Sequence, residues 1–171
     1  MTKTRPFLTA IATAAIVFLT AYAGVAHGNE RGSVKATING AHITLDYSRP
    51  MLRGRDMLGQ LKPGQVWRIG ADSPTTLESD KDLDFGGTIV PKGKHILLAR
   101  LDAPGKWTLV FSSKSVFQYE ASAKIAEVPL TFEESTDSDE MVTLKLTDEG
   151  GSGVLEIAWG KMRLRTSFKP A

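Results

Sequence analysis

The sequence predicts an all-β fold, a single-domain antiparallel β-sandwich or flattened barrel of about nine to ten strands. From Val34 onward, apolar and polar residues alternate with a period of two, which is typical of strands with one buried face. Turn residues recur roughly every 8–12 positions, the spacing expected of an antiparallel sandwich. Beyond the N-terminal segment, no long stretch has the periodicity of an amphipathic helix.

The first hairpin has the clearest local signal. Residues 34–38 alternate, and Asn39-Gly40 then supplies two residues that tolerate the positive φ angles of a tight turn. Residues 43–47 alternate again, with Ile43 and Tyr47 on the same face. We therefore expect two antiparallel strands joined by a two-residue turn.

Further strands follow from the same pattern. Residues 95–101 are apolar on both faces, which predicts a covered, central strand. The alternation in 107–111, 128–132 and 142–146 predicts three more strands. We expect hairpin loops at the acidic run 133–140 and at the glycine cluster 150–153.

Near the C-terminus the apolar set changes parity. The large apolar residues occupy odd positions in residues 155–159 and even positions in residues 162–168. This shift by one position at Gly160-Lys161 predicts a two-residue turn with glycine first. That register places Glu156 opposite Arg165, where the two side chains can form a cross-strand ion pair.

The N-terminal residues 1–23 have the pattern of a secretory signal peptide. Lys3 and Arg5 precede an uncharged apolar stretch, which ends in an A-x-A site at Ala23. Cleavage after Ala23 is the first prediction and cleavage after Ala26 the second. A retained anchor is the alternative, because the apolar stretch just reaches spanning length; the membrane contact would then be limited to this segment. The segment predicts an exported protein, periplasmic or secreted.

Composition excludes several classes of chemistry. The chain has no cysteine, so disulfides, thiol catalysis and cysteine-bound metals are excluded. It has 21 basic and 19 acidic residues, and loss of Lys3 and Arg5 would leave 19 of each. A neutral mature protein does not predict nucleic-acid binding.

Residues 46–76 depart from the strand pattern and contain four arginines, at positions 49, 53, 55 and 68. Arginine offers a planar fork of donors for carboxylate, phosphate or sulfate, and Tyr and Trp offer flat faces for ring-shaped ligands. We therefore expect an anionic or carbohydrate-like ligand, or an envelope protein, to bind here. The candidate ligand-binding residues are Tyr47, Arg49, Arg53, Arg55, Trp67, Arg68, Asp72, Thr75 and Thr76.

Two other interpretations of this segment remain open. The arginines can act as internal clamps by pairing with nearby carboxylates, namely Asp46, Asp56, Asp72 or Glu78, which would make the domain purely structural or an interaction module. Alternatively, the protein is an envelope hydrolase of glycans or esters, with Asp46, Asp72 and Glu78 as its candidate carboxylates.

Metal and cofactor chemistry has no sequence support. No motif for a metalloprotease, a serine hydrolase or a phosphate-binding loop is present. His27, His42 and His95 lie far apart in the chain, and the acidic run lacks the spacing of a calcium loop. The sequence predicts neither a metal site nor a cofactor, and it contains no established nucleophile–base pattern.

The arginine-rich segment resembles a bacterial exported family known as domain-of-unknown-function family 2911. The similarity spans roughly residues 33–168, and Asp72 stands where the family usually has Asn. It implies an exported β-rich domain without an established reaction. The motifs that carry it are Tyr47-Ser48-Arg49-Pro50, Arg53-Gly54-Arg55, Val66-Trp67-Arg68-Ile69-Gly70-Ala71 and Thr75-Thr76.

Overall fold

The computed structural model describes residues 28–56 and 59–171. The predicted signal segment, both cleavage positions and His27 lie outside the described residues. Within them no helix is long and apolar enough to cross a membrane. Ten strands are present: β1 (Glu30–Ile38), β2 (Ala41–Arg49), β3 (Val66–Trp67), β4 (Thr76–Ser79), β5 (Leu83–Asp84), β6 (Ile89–Val90), β7 (Gly93–Ala103), β8 (Lys106–Ser112), β9 (Lys124–Glu149) and β10 (Ser152–Pro170). Two short 3₁₀ turns, Val116–Gln118 and Ala121–Ala123, lie between β8 and β9.

The strands form one antiparallel sheet that curves into a sandwich-like domain and does not close into a barrel. Their order is β1-β2-β4-β7-β8-β9-β10-β5-β6, and β3 pairs with the second half of β7. The predicted all-β class and strand number are confirmed. The core consists of the inward side chains of these strands and of a few residues in the connections, and the rings of Phe111, Phe168 and Phe85, which directly follows β5, pack together in it.

The local predictions for the first hairpin and the central strand are confirmed. Asn39 and Gly40 have φ angles of 44° and 73°, as the tight turn requires. Ile43 and Tyr47 are buried on the same face of β2. β7 is central, because β4 and β3 pair with one of its edges and β8 with the other.

The acidic run 133–140 is extended, so the hairpin loop expected there is wrong. It is the middle of β9, and the two strands predicted on either side of it are the ends of this one long strand. The pairing with β10 is irregular here: Gly160 pairs with Asp139, whereas Met162 pairs with Glu134. Most of these acidic side chains are exposed, so an extended backbone leaves them in water. The expected loop at the glycine cluster is confirmed by the turn at Gly150-Gly151.

β10 bends sharply at Gly160 but remains one strand, which pairs with β9 on both sides of a register irregularity, so the two-residue turn predicted there is wrong. Gly160 has a φ of 58°, and Trp159 and Met162 are both buried. Nine extended residues would span about 30 Å, yet Nε of Arg165 donates to Oε2 of Glu156 at 2.6 Å. Further from the bend, the ring of Phe168 occupies the position of a side chain at Gly153. The predicted Glu156–Arg165 ion pair is confirmed.

The ion pair between Glu156 and Arg165 makes the free energy of unfolding depend on pH. Burial raises the pKa of Glu156, but hydrogen bonds from Lys145 and Arg165 outweigh it, so that the pKa lies below the ordinary 4.5. A lowered folded-state pKa means that the stabilisation is present above about pH 4.5 and is lost as the pH falls through the folded-state value.

We expect Glu156→Gln to cost on the order of 1 kcal/mol at neutral pH, since both cationic partners are half exposed. It should also flatten the loss of stability below pH 5 or so. Urea denaturation across this pH range measures both effects. Glu78→Gln, at an exposed position of β4, is the control; an equal effect of the two substitutions would contradict the assignment.

Candidate functional site

The segment after β2 is fastened to the middle of β9. The backbone N–H of Leu52 donates to the carbonyl of Glu140 at 2.8 Å, and Val142 N–H donates to the carbonyl of Pro50 at 3.2 Å. Arg55 then donates to the carbonyls of Leu52 and Met51, both at 3.0 Å. The guanidinium of Arg55 therefore serves to hold its own loop.

Arg49 has the contacts of a clamp between strands. Its guanidinium donates to Glu30 at 2.7 Å, to the carbonyl of Val142 at 3.3 Å and to Thr143 at 3.4 Å. These partners lie on β1 and β9 and include none of the carboxylates named from the sequence. Arg53 differs, because its side chain is exposed and only its backbone N–H bonds to Glu140.

Tyr47 and Trp67, whose rings were expected to contact a ligand, pack against other residues of the protein instead. Tyr47 is buried beside Gly32, and its ring occupies the space that a side chain at Gly32 would need. Trp67 stacks on Trp159, with ring centroids 5.5 Å apart and planes 8° from parallel. Because Trp67 belongs to β3 and Trp159 to β10, this stack joins distant parts of the sheet.

A strained turn follows Trp67. Buried Ile69 has a φ of 50°, which a β-branched residue rarely adopts. Gly70 has a φ of 147°, and a Cβ there would lie 2.8 Å from the carbonyl oxygen of Ser48. The hydroxyl of Thr75 donates to the carbonyl of Ile69 at 2.7 Å, and Thr76 pairs with Asp46 of β2. The backbone of this turn is therefore fixed by four residues: Ile69, Gly70, Thr75 and Thr76.

Arg68 and Asp72 point to different partners. The guanidinium carbon of Arg68 lies 5.2 Å from the centre of the Phe117 ring, a cation–π contact. Asp72 accepts hydrogen bonds from the backbone N–H and the side-chain amide of Asn29, at 2.9 and 3.0 Å. These bonds, with a smaller contribution from the positive charge of Arg68, hold the pKa of Asp72 below its usual range.

One cavity is a groove of about 740 Å³ between residues 52–56 and 59–63 on one side and the bend of β10 on the other. We call it the aromatic groove, because Trp107, Phe132 and Trp159 line it. Its other lining residues are Leu52, Gly54, Arg55, Asp56, Gly59, Leu61, Pro63, Leu101, Pro104, Gly105, Glu134, Ser138, Glu140, Gly160, Lys161 and Met162. Of the nine predicted ligand-binding residues, it contains Arg55 alone.

The rim of the groove carries positively and negatively charged side chains, but several of them already form hydrogen bonds within the protein. Asp56 accepts from the N–H of Gly59, Glu140 accepts from the N–H of Arg53, and Arg55 is bound to carbonyls. Glu134 and Lys161 make no side-chain hydrogen bond to the residues that the structure describes. Deeper in, Nε1 of Trp159 is buried and has no partner within the same described part of the chain. The groove therefore offers an apolar floor with few unoccupied polar groups.

A second, smaller cavity of about 90 Å³ lies beside the strained turn. Arg68, Asp72 and Thr75 line it, together with Ser115 and Phe117 from the 3₁₀ region. The nine predicted ligand-binding residues therefore do not form one site. Arg55 lines the aromatic groove, and Arg68, Asp72 and Thr75 line the small cavity. The other five line neither of these two cavities.

The candidate carboxylates of the hydrolase interpretation do not meet in a cavity. Asp46 pairs with Thr76, and Glu78 pairs with Thr44, so both lie on the face of β2 and β4 opposite the buried side chains. Neither lines the aromatic groove or the small cavity; Asp72 lines the small one. Among residues 28–56 and 59–171, no three metal-ligating side chains lie close enough to hold an ion.

The sequence did not point to Trp107, Phe132 or Trp159 as site residues. All three fit the inward faces of predicted strands, and two of them are buried as expected. Phe132 is the exception, since 40% of its surface is exposed at the groove. A large aromatic residue directly before an acidic run was the one local signal available.

These features define a sandwich-like β domain with an aromatic groove. The chain belongs to the family whose description is "Protein of unknown function (DUF2911)", and that family's model matches residues 29–168. No curated protein and no solved structure matches the chain. The family resemblance seen in the sequence is therefore confirmed.

We expect Arg49→Gln to lower the free energy of unfolding by about 1–2 kcal/mol, because it removes three donors from a partly buried clamp. Arg53→Gln is the matched control and should change stability by less than about 0.5 kcal/mol. Urea denaturation of both variants measures the difference. Equal stabilities would contradict the clamp role of Arg49.

Proposed function

We propose that this protein is an exported, non-catalytic binding protein of the bacterial cell envelope, and that the aromatic groove holds a small carbohydrate-like ligand. The observation that carries the proposal is the size and lining of the groove. Its volume of about 740 Å³ lies within the range of roughly 300–1,000 Å³ that is typical of small-molecule sites. Apolar side chains form most of its lining, with a few polar groups at the rim, which is the usual composition of such sites.

The charge of the rim favours a neutral ligand over an anion. Three carboxylates and two cationic side chains line the groove, and one of the cations, Arg55, is already bound to its own loop. An anion would meet more negative than positive charge here. A neutral polyol could place its apolar ring face on Phe132 or Trp107 and donate hydroxyl hydrogens to Glu134.

Export is the second part of the proposal and is supported by the N-terminal segment. Its basic start, its apolar stretch and the small residues at Ala21 and Ala23 are those of a cleavable signal peptide. The absence of cysteine agrees with a protein that is stabilised by packing in an oxidising compartment.

We expect the full chain, expressed in a Gram-negative host, to be recovered outside the cytoplasm with a mass that corresponds to cleavage after Ala23. Osmotic-shock fractionation and intact mass spectrometry measure location and cleavage together. Changing Ala21 and Ala23 to larger residues should block cleavage and leave the protein membrane-bound. An unprocessed protein in the cytoplasmic fraction would contradict the proposed export.

Binding in the groove can be tested with a panel of 4-methylumbelliferyl glycosides, which combine a sugar with a flat fluorescent ring. We expect at least one to give a saturable rise in fluorescence anisotropy. Phe132→Ser should weaken that binding about 5- to 30-fold, because it removes an apolar wall worth roughly 1–2 kcal/mol.

Ile89→Ser is the matched control, because Ile89 is also a half-exposed apolar residue but lines neither cavity. Equal weakening by both substitutions, or no saturable binding by any glycoside, would contradict the proposal. The same assay separates binding from hydrolysis, since release of free 4-methylumbelliferone would instead favour the hydrolase.

A further inference from the structure

We propose a second binding site, for the carboxylate group of a small organic acid, in the cavity beside Arg68. This carboxylate site is separate from the aromatic groove, and the two cavities have no lining residue in common. The inference rests on an arginine whose donors are left open, on the volume beside it, and on the partly apolar lining of that volume.

The donors of Arg68 are available to a ligand. Arg68 is half-buried and packs its guanidinium plane near the ring of Phe117, but it makes no hydrogen bond or salt bridge to the described residues. Asp72 is the nearest carboxylate in the turn, and Asn29 holds it through two hydrogen bonds. Arg49 is also partly buried among the four arginines of residues 46–76, and it differs because it is engaged with Glu30. Arg68 therefore keeps a planar fork of donors that matches a carboxylate in a bidentate arrangement.

The cavity has room for such a group. Its volume of about 90 Å³ equals roughly three water molecules in the liquid, which suits a carboxylate with a short carbon chain. The hydroxyl of Ser115 is a further donor at its edge, and Ile96, Leu98 and Val116 supply apolar surface for the chain.

The partly apolar lining of the cavity favours a carboxylate over a phosphate. The negative charge of Asp72 also faces the cavity, so that Arg68 and Asp72 together are formally neutral. A doubly charged phosphate would meet about twice the repulsion of Asp72 and also about twice the attraction of Arg68, so these two charges do not separate the ligands. Desolvation does, because a dianion loses more hydration than a monoanion when it enters a cavity lined by Ile96, Leu98 and Val116.

The cation–π contact with Phe117 restricts the position of the Arg68 guanidinium at the cavity. Phe117 is 80% exposed, and the guanidinium carbon of Arg68 lies 5.2 Å from the centre of its ring. With the guanidinium resting over this ring, less rotamer freedom is lost when the anion binds. Phe117 is thus a positioning residue for Arg68.

The test is a titration of the ¹⁵N-labelled protein, in its full form as recovered from the host, with sodium propionate. The signal to follow is the Nε–Hε resonance of Arg68, with sodium chloride titrated in parallel to subtract ionic strength. We expect a saturable shift in the millimolar range, and weaker binding of inorganic phosphate at the same pH.

Arg68→Gln should abolish the saturable shift of neighbouring methyl and amide signals, and Arg68→Lys should weaken binding about tenfold, because the point charge remains but the fork is lost. Arg53→Gln is the matched control and should bind propionate like the original protein; Phe132→Ser should do the same, which separates this site from the groove. A shift that is not saturable, or one that survives in folded Arg68→Gln, would overturn the proposal, as would tighter binding of phosphate than of propionate.

Discussion

The stack of Trp67 on Trp159 is the contact on which the aromatic groove depends. Trp67 is fixed by the pairing of β3 with β7, whereas Trp159 directly precedes the bend of β10 at Gly160. An aromatic pair of this kind contributes roughly 0.5–1.5 kcal/mol beyond the area that it buries. Since Trp159 also lines the groove, the stack sets the position of one wall relative to the loop that forms the other.

The segment that identifies the family therefore has two physical roles. Ile69, Gly70 and Thr75 stabilise a turn in which the positive φ of Ile69 alone costs roughly 1–3 kcal/mol. Such strain persists only where surrounding contacts determine the backbone, and here they place Arg68 at the edge of the small cavity. Arg49 and Arg55 instead bind the chain to itself, but through Glu30 and backbone carbonyls rather than through the carboxylates that the clamp interpretation expected. The same stretch of sequence thus builds the fold and places the half-buried Arg68 at a cavity.

Local features of the fold could be read from the sequence, and features that depend on distant contacts could not. Asn39-Gly40 predicted the turn between β1 and β2, because turn geometry depends on adjacent residues. The parity change at Gly160 does not mark a turn; it marks a register irregularity inside β10, which pairs with β9 on both sides of it. The acidic run was mistaken for a loop, since its composition does not show that β9 remains extended beside an irregular β10. The groove was missed for a similar reason, because its aromatic walls come from three separate strands.

The central claim is that the aromatic groove is the ligand site, and the side-chain NMR signals of the three tryptophans test it most directly. Each indole N–H gives one resonance in a ¹⁵N–¹H spectrum. On addition of a 4-methylumbelliferyl glycoside that binds, the account predicts the largest shifts for Trp107 and Trp159, because both line the groove. A bound glycoside that leaves both resonances unchanged would place the site elsewhere and contradict the account.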